Sequence, residues 1–99
     1  MKTGIELIAK ERQEQIEKHG RTLKYDREVN ANDQLSIAAY VLMEAKDTET
    51  MMVTAHDTLP ERWSLKMWQK MWDKPYKERL IIAGALIAAE IDRIQSIED

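Results

Sequence analysis

Cysteine and phenylalanine are absent from this 99-residue chain, and glycine (3) and proline (2) are scarce. Without cysteine there is no disulfide framework, no thiolate zinc site and no cysteine nucleophile, which suits an intracellular protein. A basic excess is missing as well. Lys and Arg number 15 against 18 Asp and Glu, for a formal charge of -3, and a duplex-DNA binder usually carries a clear positive surplus. The longest apolar run, from Leu80 to Ala89, is about half of what a bilayer span needs, so no membrane partner is expected. The opening MKTGIELIAKERQEQ lacks the apolar core and small-residue cleavage site of a signal peptide, and a cytoplasmic location is the expectation.

What is present is 43% hydrophobic and 33% charged, enough for one domain. A monomer of this size buries only about two thirds of its unfolded surface, which makes a homo-oligomer the expected state. The pattern is helical throughout. Ile5, Ile8, Ala9 and Ile16 recur at helical spacing over 4–19, with charged residues on the other face. Thr3 and Glu6 have capping-box spacing, and Lys18-His19-Gly20 reads as a stop. Residues 20–33 read as a connecting loop with room for one helical turn. Asn32 or Asp33 then caps a helix over 34–47, whose run Ile37 to Met43 is apolar all round and predicts a central position.

Residues 48–58 are ambiguous, and Met51, Met52 and Val53 fit either a short helix or a loop over the core. Thr58-Leu59-Pro60-Glu61 resembles a second capping box, opening a helix over 59–72 with Trp63, Met67, Met71 and Trp72 as its stripe. The competing reading there is an irregular crossover pinned by tryptophans. Pro75 restarts the chain into a last helix over 75–97. The fold predicted is therefore an all-α bundle of three to four helices, completed by dimerisation. Ala38-Ala39 in one helix and Ala83-Gly84-Ala85 and Ala88-Ala89 in another are small enough for close helix contact. Gly84 costs a helix about 1 kcal/mol relative to Ala, which close packing would offset.

Few side chains suggest chemistry. A Mg²⁺ site needs several converging carboxylates, and the candidates are Glu44, Asp47, Glu78 and Glu90. Glu11, Glu14 and Glu17 march along a polar face beside Lys10 and Lys18, as on a solvated helix. Glu44 and Asp47 fit a solvated helix end, and Glu90 can pair with Arg93 one turn on. His19 and His56 are the only imidazoles, with no metal-binding spacing between them. Arg12 falls on the apolar stripe of its helix, where a guanidinium either meets an internal acid or faces a ligand phosphate. Lys70 and Lys74 interleave with Trp68, Trp72 and Tyr76. With Arg12 these make the candidate surface for a nucleotide, the bases stacking on aromatic rings. The plainer alternative is that the tryptophans fill a core without phenylalanine while the lysines keep its outer face soluble.

The segment Glu11-Arg12-Gln13-Glu14-Gln15-Ile16-Glu17-Lys18-His19-Gly20 resembles the E-R-x-x-Q-x-x-K-x-G opening of many phage and prophage MazG-like proteins, of the all-α nucleoside triphosphate pyrophosphohydrolase superfamily. Lys77 to Leu86, continuing through Glu90-Ile91-Asp92-Arg93, is similar to their last core helix. Together the two stretches cover about a third of the chain. The resemblance implies an all-α dimer. It also implies a Mg²⁺ site built from an E-E-x-x-E helix and an E-x-x-D helix, and there this chain departs. Gln34-Leu35-Ser36-Ile37-Ala38-Ala39-Tyr40 holds no acid, and Glu78 is followed three residues on by Ile81. No metal ligand carries over. The expected function is thus a non-catalytic, dimerising MazG-like protein that binds a nucleotide or a protein partner, with no cofactor. The alternative is a Mg²⁺-dependent pyrophosphohydrolase with a relocated site at Glu44, Asp47, Glu78 and Glu90.

Overall fold

Capping chemistry sets where each helix begins. In the computed structural model, which describes residues 1–44 and 54–98, the Thr3 hydroxyl accepts from the Glu6 amide and Glu6 accepts from the Thr3 amide. That reciprocal pair opens α1 (Gly4–His19). Gly20 closes it in the left-handed region at φ 65°, where a residue without Cβ pays no steric penalty. Thr22 caps α2 (Leu23–Val29), a two-turn helix where the sequence pattern gave only a loop with one turn. α3 (Gln34–Glu44) follows without a side-chain cap from Asp33. Asp33 sits at φ 64° and contributes its carbonyl instead, accepting from the Ile37 amide at 3.0 Å.

The helix expected over 59–72 starts later. Thr58 ends a 3-10 turn (His56–Thr58) and donates its hydroxyl to the Thr54 and Ala55 carbonyls, so it caps nothing downstream. Leu59 precedes a proline and is held extended at ψ 119°, and Arg62 enters the left-handed region at φ 68°. Only after these two breaks does Ser64 cap α4 (Leu65–Trp72). The irregular crossover and the helix are both present, one after the other. α5 (Tyr76–Glu98) completes an all-α bundle with no strand among the described residues.

The centre of the bundle is α5, not α3 as the apolar run predicts. α1, α2, α3 and α4 all pack on α5. Its inner face buries Ile82, Ala83, Ala85, Leu86 and Ala89. α3 buries one face only, through Leu35, Ala38, Ala39 and Leu42, and leaves Tyr40 58% exposed. Small residues explain the arrangement. Ala38, Ala39, Ala83, Ala85 and Ala89 bury their short side chains in the bundle, where α3 packs on α5. Trp63, Trp68 and Trp72 fill the space no phenylalanine occupies, edge-to-face with centroids 5.8 and 6.2 Å apart.

Gly84 marks the closest approach. A Cβ there would lie 2.5 Å from Ile8 Cδ1 and 2.8 Å from Cγ1 of α1, so α1 rests on α5 through a missing side chain. Gly84→Leu is expected to destabilise the protein by about 1–3 kcal/mol, the usual cost of overpacking. Adding Ile8→Ala should restore part of the loss, which thermal melts of the single and double variants would show. A Gly84→Leu protein melting at the wild-type temperature would rule the contact out as a constraint.

Candidate functional site

Arg12 is where the polar interior begins. Its stripe position turns the guanidinium inward, where Nη2 lies 3.9 Å from Asp26 on α2 and 3.7 Å from Asp92 on α5. Nη1 donates to the Arg21 carbonyl at 3.1 Å. Of the two readings of Arg12, internal pairing is the one the geometry carries. Asp26 is fully buried. It accepts from Asn30 Nδ2 at 2.7 Å, and Asn30 Oδ1 in turn accepts from Trp63 Nε1 at 2.7 Å. Burial pushes the Asp26 carboxyl above its ordinary range, while the Asn30 hydrogen bond and the charges of Arg12 and Arg21 pull the other way. Gln15, Gln34 and Arg79 are buried too. Gln34 Nε2 donates to the Val29 carbonyl at 2.7 Å, which ties α2 to α3.

The metal candidates do not gather. Glu90 makes a bidentate pair with Arg93, Nη2 to Oε2 at 3.2 Å, and this contact holds the Arg93 guanidinium above its usual value. Glu44 is exposed at the end of α3, and Glu78 is exposed in the first turn of α5. Asp47 lies outside the described residues. Among the described residues no three acids or histidines stand close enough to share an ion, and residues 34–40, where the MazG-like resemblance implies an E-E-x-x-E helix, hold no acid.

The candidate nucleotide surface is likewise divided. Trp68 is fully buried and donates Nε1 to the Thr58 hydroxyl at 3.1 Å, and Trp72 is buried beside it. Both belong to the core, as the plainer alternative has it. Tyr76 sits under the Arg79 guanidinium at 5.8 Å. Arg12 lies on the far flank of α1, lining a hollow with Ile16 and Asp92. Lys70 and Lys74 line a groove between α1 and α4 of about 710 Å³, together with Glu11 and Glu14 of α1 and Asp73 at the end of α4. Charges of both signs alternate there, so the groove has no surplus for a polyphosphate.

A second, smaller cavity of about 170 Å³ opens where α1 turns into α2, walled by His19, Arg21, Arg62 and Trp63. Arg21 is 7% exposed, although it sits in a charged stretch of sequence with Lys24 and Arg27. Its burial comes from Trp63, whose ring lies 4.7 Å from the guanidinium carbon, a contact across 42 residues of chain that no periodicity reports. Arg79 had a legible signal, since it precedes Ala83 and Leu86 by four and seven residues on one helical face. Comparison with protein-family models, with curated proteins and with solved structures finds no match to this chain.

Asp26 supplies a test of the buried layer. A carboxyl whose folded pKa lies above its unfolded value binds its proton more tightly in the folded state. Its ionisation therefore opposes folding, and stability falls as pH rises from the ordinary 3.8 through the raised value. Asp26→Asn cannot ionise. Melting wild type and variant side by side across acidic to neutral pH should show the difference moving in the variant's favour as pH rises. A constant difference would place Asp26 outside the low-dielectric interior.

Proposed function

We propose that this chain is a non-catalytic helical protein of the MazG-like type, working in the cytoplasm as a homodimer that offers its remaining surface to a nucleotide or a protein partner. One observation carries the reading. On the outer face of α5, Leu80, Ile87, Ile91 and Ile94 stand 38–51% exposed. Their spacing of seven, four and three is that of a helix-pairing seam. The stripe holds no charge of its own, so its best complement is a surface equally apolar and equally long. A second copy of this chain brings that surface by a two-fold axis.

The stripe runs for about 20 Å at 1.5 Å per residue, enough for the apolar centre of an interface. Specific interfaces bury on the order of 800 Å² per partner, and Lys77 and Gln95, exposed on α5, are suited to the polar rim. The missing E-E-x-x-E acids support a non-catalytic role, as does the Glu90–Arg93 pair, which neutralises a carboxylate a hydrolase would leave free.

Light scattering should return about twice the 11.6 kDa chain mass. Ile87→Lys with Ile91→Lys should return the single-chain mass with the helical circular dichroism intact. A wild type that stays monomeric at tens of micromolar overturns the dimer. With Mg²⁺ or Mn²⁺ and a panel of canonical and modified deoxynucleoside triphosphates, no pyrophosphate release above a heat-denatured control is expected. Release that disappears in Glu78→Gln would restore the pyrophosphohydrolase reading.

A further inference from the structure

The cavity at the α1–α2 turn is walled by a buried guanidinium with no ion-pair partner among the described residues. Arg21 is 7% exposed, and its side chain makes no hydrogen bond or ion pair to a described residue. Its Nη1 is fully enclosed without an acceptor. Asp26 and Glu11 act on it only from beyond hydrogen-bond reach, and burial pulls the guanidinium below its ordinary pKa. An arginine nonetheless keeps its proton, so the cavity wall carries a fixed cation with donor capacity to spare.

A second guanidinium lines the same cavity. Arg62 spends only Nη1, on the Glu28 carbonyl at 3.0 Å, and is held at the mouth by its left-handed backbone at φ 68°. His19 lines the cavity from the end of α1. Ser64, the cap of α4, lines it too, and so adds the positive end of a helix dipole. Asn30 closes the floor with its amide already committed to Asp26 and Trp63. No carboxylate lines the cavity.

We propose that this cavity binds a phosphate group, free or as the terminus of a phosphomonoester. Donors arrive from α1, from the turn after it and from the segment before α4. That spread suits a tetrahedral dianion better than a planar carboxylate, which a single arginine fork would satisfy. At about 170 Å³ the space is large enough for a phosphate group. Tyr25, which lines the cavity and is 38% exposed, offers a ring for the organic part of an ester. The site lies on the α1–α2 turn and the segment before α4, and does not depend on assembly through α5.

The test is a titration of the full chain with inorganic phosphate at ionic strength held constant with sodium chloride. It is read by calorimetry and by tryptophan fluorescence, since Arg21 stacks on Trp63. A saturable single site is expected. Arg62→Gln should weaken it at least tenfold, Arg21→Gln should abolish it, and Lys24→Gln should leave it unchanged. If Arg21→Gln fails to fold, Arg62→Gln decides. A parallel titration with adenosine monophosphate separates the sources. Tenfold tighter binding than phosphate assigns an ester ligand, equal binding assigns the free ion, and both support the site. Non-saturating responses to both ligands, or saturation unaltered by Arg62→Gln, would overturn it.

Discussion

The placement of Arg12 is the constraint on which the rest of the molecule turns. One guanidinium, half-buried on α1, faces a carboxylate on α2, another on α5 and the carbonyl of Arg21. These contacts fold α1 and α2 back on each other and set both against α5. The Arg21 side chain runs inward against Trp63. Asn30, held by Asp26 on one side, takes the Trp63 indole N–H on the other. A chain of polar contacts therefore links the first helix to the segment before α4. Breaking a buried ion pair from one side leaves an uncompensated charge, which costs more than the pair contributes.

α5 divides its labour by face. Its small inner residues admit α3 closely, Gly84 admits α1, and Ile87, Ile91 and Ile94 are left outside. A helix of this length in so small a protein cannot be covered all round by four short neighbours. The exposed stripe is the remainder, and it runs beside the seat of α1 at Gly84, which shares its helical face. The polar interior has a similar origin. With three tryptophans and no phenylalanine, the aromatic core is concentrated around α4. The contacts at the α1–α2 end are made by amides and charges instead.

Much of the architecture was legible in local chemistry. Thr3 with Glu6, and Gly20 after two basic residues, fix α1 without reference to the rest of the chain. The last helix was equally plain from its apolar run. α2 was hidden because its residues are charged and its stability comes from Asp26 and Asn30 finding distant partners. The start of α4 was misplaced because Thr58 offers a capping pattern that Pro60 and Arg62 overrule. The run from Ile37 to Met43 suggested burial on all sides, but hydrophobicity alone does not say how many neighbours are available. Of the side chains with chemical promise, the roles of Arg12 and Glu90 were readable from their helical faces. The burial of Arg21 was not, since it depends on a tryptophan far along the chain.

α1 is attached more lightly than its length suggests. Of its residues only Gln15 is fully buried, and its tightest hydrophobic contact is one isoleucine against a glycine. Free energies of sub-global opening follow buried contacts, so α1, like the two-turn α2 with its single buried residue, opens before α5. Its amide protons would then exchange with solvent well before those of α5. Each such excursion would also free Asp26 from Arg12, making the first helix a latch whose release loosens the charged interior from one end.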